Sequence, residues 1–185
     1  MNRRGFVRVA AAGALGVALT REAQASLARA VPLEQLMGRS QHVLVGEPLD
    51  AHSVWEQLGG RKHIVTYTRV RAHELLAGAD PKTDELLLRT LGGRVGELGE
   101  LVHGEAVLSR GARGVLFVMP LAGVLAVTAM AQGHYPLRRD VAGTERLRRS
   151  PGAQELFQEQ GSAVQRLTGL QVPEARSLLQ QLVRK

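Results

Sequence analysis

The stretch RGVLFVMPLAGVLAVTAMAQGHYPLRRD, residues 113–140, decides the fold class of this 185-residue chain. It holds two apolar runs, residues 115–119 and 124–130, separated by Pro-Leu-Ala-Gly at positions 120–123. Proline presets φ and glycine tolerates positive φ, so the separator has the chemistry of a turn. Short apolar runs bounded in this way are typical of buried strands joined as a hairpin. We therefore expect this hairpin at the centre of a β-barrel core.

The same stretch admits a second interpretation, as a membrane span. Residues 114–133 carry no charged side chain, and about 20 such residues can cross a bilayer as a helix. Pro120 and Gly123 in mid-segment, together with the β-branched content, favour two strands. Because transmembrane helices tolerate proline and glycine, a membrane-associated protein anchored by residues 114–133 is kept as an alternative.

At the N-terminus, residues 1–30 have the order of a targeting segment. Arg3 and Arg4, followed by Phe6, resemble the export motif of the twin-arginine pathway, whose usual form is Ser/Thr-Arg-Arg-x-Phe-Leu-Lys. An apolar run rich in alanine and glycine follows over residues 9–19. The resemblance implies a twin-arginine signal peptide, with the twin-arginine translocase as its partner.

Two small-x-small patterns in this segment could direct removal of the leader. Ala23 and Ala25 predict cleavage before Ser26, and Ala28 and Ala30 supply a second option. An ordinary signal peptide, or a leader kept uncleaved as an anchor, is the alternative reading.

The pathway carries folded proteins, so the predicted location is periplasmic or extracellular in a bacterium. The chain has no cysteine, which excludes a disulfide framework and a lipid-anchoring thiol. The leader holds five of the arginines and one glutamate, so residues 31–185 carry a net charge of +3 against +7 for the whole chain. We therefore expect no nucleic-acid partner, and no membrane association once the leader is removed.

The remaining chain is predicted to divide into three parts. Proline followed by apolar residues at i, i+3 and i+4 predicts a short helix within residues 31–39. Residues 40–140 read as a β domain. Residues 141–185 change to a helical period, which predicts two helices, one from residue 150 and one over residues 171–185.

Within the β domain, residues 64–76 alternate most clearly between two faces. Residues 42–46 and 85–91 are also predicted strands, and residues 47–62 read as a loop containing the only tryptophan. Residues 92–114 form a long glycine-rich connection, a feature that is often functional.

The order of short motifs between residues 36 and 140 carries a family resemblance. The pieces are Ser40-Gln41-His42-Val43-Leu44-Val45-Gly46, Trp55, an Ile-x-Thr-x-x-x-Val strand at 64–70, Gly92-Gly93-x-Val95-Gly96, Gly111-Ala112-Arg113-x-Val115-Leu116-Phe117 and Gln132-Gly133-x-Tyr135. The sequence resembles bacterial exported domains that are similar in architecture to netrin and metalloproteinase-inhibitor modules. The resemblance implies a mostly β, α+β fold: a small antiparallel OB-like β-barrel with a short N-terminal helix and two C-terminal helices. The animal inhibitors act through an N-terminal cysteine, which this chain lacks, so their mechanism does not carry over.

A binding surface is predicted on the polar face of the alternating strand. Basic and aromatic side chains recur there at every second residue, and OB-like barrels often bind through such a face. The candidate binding residues are Trp55, Arg61, Tyr67, Arg69, Arg71 and His73. We expect a non-catalytic binding or accessory module of the cell envelope that recognises a protein or glycan.

Catalytic motifs are weak in this sequence. His73 and Glu74 begin like a zinc-protease motif, but Ala77 stands where the second histidine is needed. The sequence has no G-x-S-x-G motif and no G-K-[ST] phosphate loop. We predict no catalytic residue, no metal site and no cofactor. A secreted hydrolase is the alternative, with a dispersed site on the 92–114 loop that would use His103 with three acids, Glu97, Glu100 and Glu105.

Overall fold

The computed structural model describes residues 28–154 and 156–183. The predicted export motif (Arg3, Arg4 and Phe6) and the predicted cleavage site (Ala25 and Ser26) lie outside the described residues.

The described chain is mostly β with three helices, which confirms the α+β class. The strands are β1 (Ala28–Arg29), β2 (His42–Leu58), β3 (Arg61–Gly78), β4 (Glu85–Leu91), β5 (Gly93–Val95), β6 (Leu98–Glu100), β7 (Gly114–Leu121), β8 (Val124–Val127), β9 (His134–Arg139), β10 (Glu145–Leu147) and β11 (Leu156–Phe157). The helices are α1 (Leu33–Arg39), α2 (Ala163–Leu167) and α3 (Val172–Val183), with single 3₁₀ turns at Met130–Gly133 and Pro151–Ala153.

Seven strands form the main sheet, in the order β10-β9-β7-β2-β3-β4-β8. Strand β7 also pairs with β8, so pairings run from β7 through β2, β3, β4 and β8 and return to β7. The sheet is mixed and not antiparallel throughout, because β4 and β8 run in the same direction, with Leu88 opposite Leu125. This pair joins strands distant in sequence, which local periodicity could not reveal.

The central hairpin is present as β7 and β8. Its two-residue loop is Ala122-Gly123, with φ values of 47° and 85°, and Leu121 faces Val124 across it. Two positive φ values match the twist of the flanking strands. The second strand ends earlier than expected, at Val127, because Ala129 and Met130 also have positive φ. Among the described residues, no helix is long and apolar enough to cross a membrane.

The prediction of a loop over residues 47–62 is wrong. Strand β2 continues to Leu58 and pairs with β3 from His42 opposite Gly78 to Leu58 opposite Arg61. Gly59 and Gly60, with φ values of 56° and 83°, form the turn. No residue of 50–58 is buried, and this part of β2 lacks the apolar alternation by which half-buried strands are recognised.

Two apolar clusters pack on opposite faces of the β2–β7 pair. One cluster, which we name the ring cluster, takes residues from all five strands whose pairings return to β7, namely β2, β3, β4, β7 and β8. Its buried members are Leu44, Val70, Leu86, Leu88, Ala106, Leu116, Val118 and Val127. The other cluster packs the three helices against β2, β7 and β9, and includes Val43, Val45, Phe117, Tyr135 and Leu179. Neighbouring residues of β2 therefore enter different clusters, and this strand is buried on both faces.

The helical C-terminal part differs in detail from the expectation. No helix begins at residue 150: this segment forms one 3₁₀ turn and then β11. Helix α2 begins later, after Ser162, whose side chain accepts a hydrogen bond from the Gln165 N–H at 3.1 Å and caps the helix. Helix α3 lies within the predicted 171–185 segment, with Ala175 and Leu179 buried. Two C-terminal helices are thus confirmed.

Candidate binding surface on the β2–β3 ribbon

The outer parts of β2 and β3, residues 50–58 and 61–69, form an antiparallel ribbon, which β4 joins along residues 65–69 of β3. Most of the predicted binding residues lie on or next to this ribbon. Directly opposite residues of an antiparallel pair project to the same face, and neighbours along a strand alternate. Tyr67, Arg69, Arg71 and His73 therefore share one face of β3. We name this the outer face.

Trp55 and Arg61 lie on opposite faces of the ribbon. Trp55 lies opposite Ile64, an odd number of residues from Tyr67, so it projects to the reverse face of the ribbon. Arg61 lies at the ribbon end, opposite Leu58, on the outer face. The structure thus brings together five of the six predicted residues and separates Trp55 from them.

Arg69 and Arg71, two of the arginines of the outer face, are paired with acids. Arg69 Nε donates to both carboxylate oxygens of Asp50 at 3.1 Å, and its Nη1 lies 3.3 Å from Glu85. The hydrogen bond from Arg69 holds the pKa of Asp50 below its ordinary value. Arg71 Nη2 lies 3.8 Å from Glu85. The face predicted to be basic is therefore close to charge balance at this point.

His73 and Tyr67, which flank these arginines along β3, also contact acids. His73 Nε2 lies 2.8 Å from a Glu47 oxygen. The Tyr67 hydroxyl donates to one oxygen of Glu56, and Arg89 Nη2 donates to the other at 2.7 Å. The hydrogen bonds from Arg89 and then Tyr67 lower the pKa of Glu56, while the hydrogen bond to Glu56 raises the pKa of Tyr67.

The reverse face is covered in part by the β5–β6 hairpin. Ser53 and Thr66 hydrogen-bond each other at 2.8 Å, and Thr66 Oγ1 donates to the Gly92 carbonyl at 2.7 Å. A Cβ on Gly93 would lie 2.2 Å from Thr66 Oγ1. Only glycine fits at position 93, because the hairpin backbone approaches the ribbon so closely.

Glu100 fixes this hairpin to the ribbon. Its carboxylate accepts from the Ile64 N–H at 2.6 Å and lies 2.7 Å from His63 Nδ1. The hydrogen bonds from His63 and then Ile64 lower its pKa. Because Ile64 is the cross-strand partner of Trp55, the hairpin is anchored beside the tryptophan.

Three large exposed apolar side chains lie on the ribbon end and on the segment that Glu100 attaches to it. Trp55 is 44% exposed, and Leu98 and Leu101, on either side of Glu100, are 63% and 79% exposed. Grouped apolar exposure of this kind commonly marks an interaction site. The sequence prediction missed both leucines. The available signal was the presence of large apolar residues in a glycine-rich connection.

Two acids of the predicted acid–base group on the 92–114 connection, Glu100 and Glu105, form hydrogen bonds that attach the connection to the sheet. Glu100 pairs with His63, and Glu105 accepts from the backbone N–H groups of Leu91 and Ala106 at 3.0 and 2.8 Å. Burial raises the pKa of Glu105, and both acids thus tie the connection to the sheet. The segment is also not a plain loop, because it contains β5 and β6. In the part of the chain that the structure describes, no group of three metal-ligating side chains occurs.

A cleft of about 840 Å³ opens away from the ribbon, between α1, the chain start and residues 158–162. Arg29 and Arg39 lie on its walls, both exposed. Ser162, the buried polar residue of its lining, is engaged at the start of α2, where its Oγ accepts from the Gln165 N–H, so we assign the cleft no ligand.

Comparison with known proteins gave no match to any family model, to any curated protein or to any solved structure.

Proposed function

We propose that the chain is an exported, non-catalytic binding or accessory module of the bacterial cell envelope, which recognises a protein or glycan through the end of the β2–β3 ribbon. The observation that carries this proposal is the exposed Trp55, beside a hairpin that Glu100 holds in place and that presents Leu98 and Leu101. Tryptophan is enriched in interface hot spots because it contributes a large contact area on a stiff side chain.

An OB-like barrel is the proposed scaffold. The pairings that lead from β7 through β2, β3, β4 and β8 back to β7 support a closed five-stranded barrel. One cluster of buried side chains draws on every one of these strands, which supports the same proposal. OB-type barrels bind ligands through one face and its flanking loops, and the ribbon extends two of the barrel strands.

The open edge of the ribbon adds a second means of recognition. Within the described residues, β7 pairs with β2 only as far as Gly46. The outer part of β2 therefore pairs with β3 alone. An exposed strand edge offers backbone donors and acceptors to an extended partner segment. The paired charges of the outer face make that face a weaker candidate.

Pull-down from the native bacterium tests the binding proposal. The bait is the tagged mature domain, and two separate arms use envelope protein extract and purified peptidoglycan, which distinguishes a protein from a glycan ligand. Trp55→Ala with Leu98→Ser should reduce recovery at least about tenfold, as loss of a hot spot does. Arg69→Glu with Arg71→Glu should have a smaller effect.

The matched control is Val183→Ser, which removes an exposed apolar side chain at the far end of α3. Equal recovery for the wild type, the control and the Trp55 variant in both arms would exclude the ribbon end as the binding site.

Export is tested by cell fractionation of the full chain. Replacing Arg3 and Arg4 with lysine should leave the protein in the cytoplasm, because the pathway reads the arginine pair and not charge alone. Unchanged export of this variant would exclude the twin-arginine route.

A further inference from the structure

The start of the described chain is built into the domain. Strand β1 pairs in parallel with β11, and the Ala30 N–H donates to the Phe157 carbonyl at 2.9 Å. The Val31 carbonyl accepts from the Ala163 N–H at 2.8 Å, at the start of α2. Residues 28–31 are therefore a structural part of the fold.

A buried side-chain amide holds the same segment from the other side. Gln132 is 7% exposed and lies in the 3₁₀ turn before β9. Its Oε1 accepts from the Val31 N–H at 2.8 Å, and its Nε2 donates to the Arg29 carbonyl at 3.0 Å. The amide thus pairs with the backbone as a neighbouring strand would, across more than 100 residues of sequence.

This arrangement distinguishes the two small-x-small patterns of the leader. Cleavage after Ala30 would require a peptidase to bind the chain around the Ala30–Val31 bond in extended, accessible form. The N–H of that bond is engaged by Gln132, and Ala30 itself is only 7% exposed. The other candidate bond, Ala25–Ser26, precedes β1 in the sequence.

We infer that the fold selects the processing site: a signal peptidase hydrolyses Ala25–Ser26, and the Gln132 amide together with β11 withholds Ala30–Val31. Hydrolysis adds one water, giving a carboxylate on Ala25 and a free amine on Ser26, and the mature domain keeps β1. The inference rests on the proposed export. It applies with most force to a route that carries folded proteins, because the clamp, formed by Gln132 and β11 on residues 29–31, is then in place before cleavage.

The direct test uses the purified full-length precursor in detergent micelles with a bacterial signal peptidase, read by intact mass and N-terminal sequencing. We expect a single product that begins at Ser26. A product beginning at Val31, or no cleavage at either bond, would overturn the inference.

Two variants test the role of the clamp. Ala25→Leu removes the small residue before the first bond, so cleavage should fall at least tenfold without a shift to Val31. Adding Gln132→Leu should release the segment and yield the Val31 product. The matched control adds Gln180→Leu, an exposed glutamine of α3, and should yield none.

Appearance of the Val31 product from Ala25→Leu alone would contradict the inference whether or not the double variant folds. The proposed export and the inferred processing site are contradicted by different results. A wild-type precursor that stays in the cytoplasm, yet is cut before Ser26 by the purified peptidase, would contradict the proposed location but not the inferred processing site.

Discussion

The inner and outer parts of strand β2 belong to one continuous strand but lie in different surroundings. Residues 42–48 are buried, apart from the half-buried Glu47, whereas no residue of 50–58 is buried. The inner part has β3 on one edge and β7 on the other, and its two faces contact different apolar clusters. The outer part of β2 pairs with β3 alone. The comparison shows that pairing continues where burial ends, so β pairing and core formation are separate contributions in this chain.

The largest expected effect comes from truncating one side chain in each part of β2. Leu44→Ala removes a fully buried side chain of the ring cluster and should lower the free energy of unfolding by about 2–5 kcal/mol. Val54→Ala, in the exposed outer part, should cost less than about 1 kcal/mol. Urea unfolding followed by circular dichroism measures both values, and equal losses would contradict the division of β2 into two parts.

A second effect of comparable size is expected from acid, at a buried histidine of β9, which pairs with the same strand β7 that borders the inner part of β2. His134 is buried in β9 beside β7, with Nδ1 3.1 Å from Ser150 Oγ. Burial, and secondarily the charge of Arg138, lowers its pKa from 6.5 to about 4. Between pH 6.5 and pH 4 the imidazole of His134 is protonated in the unfolded chain and neutral in the folded chain. The contribution of the neutral imidazole to the free energy of unfolding is therefore fully present above pH 6.5 and is lost as the pH falls towards 4. The loss reaches about 3 kcal/mol at pH 4.

The measurement compares urea midpoints at pH 7 and pH 4 for the wild type and His134→Gln, whose side chain cannot take up the proton. The variant should lose less stability on acidification than the wild type does. His103→Gln, at an exposed position of the 92–114 connection, is the control and should keep the wild-type slope. Identical slopes for all three proteins would show that His134 is not the titrating group.

The smallest effect is expected at the ribbon turn, where backbone strain can be measured without a steric clash. Gly60 has a φ of 83°, and no atom lies within 4 Å of the place where its Cβ would be. Gly60→Ala should therefore cost about 1 kcal/mol through the left-handed backbone alone. Gly59→Asn should be tolerated, since asparagine adopts this conformation. If Gly60→Ala instead costs as much as Leu44→Ala, the outer part is not independent of the core.

Much of the fold could be predicted from local pattern. The alternation of residues 64–76 located β3, and Glu85–Leu91 is a strand at the predicted bounds. The hairpin of β7 and β8 followed from two apolar runs around a proline- and glycine-containing turn. Each of these segments carries its own signal, since its burial repeats at the period of its secondary structure.

The candidate site was less predictable. The sequence indicated a basic face, but the acids that balance it come from other strands: Asp50 from β2 and Glu85 from β4. Trp55 was selected for its residue type, although only the register of β2 and β3 shows that it projects to the reverse face. Leu98 and Leu101 became candidates only because Glu100 attaches their hairpin to Ile64.

By itself, the sequence determined the β-rich class with two C-terminal helices and the central hairpin, because turn chemistry and side-chain period act over a few neighbouring residues. Only the tertiary structure decided that β4 and β8 run parallel, that β2 is buried on two faces along half its length, and that Gln132 binds the chain start. Each of these depends on residues far apart in sequence, and their free energy is gained only when the whole domain brings them together.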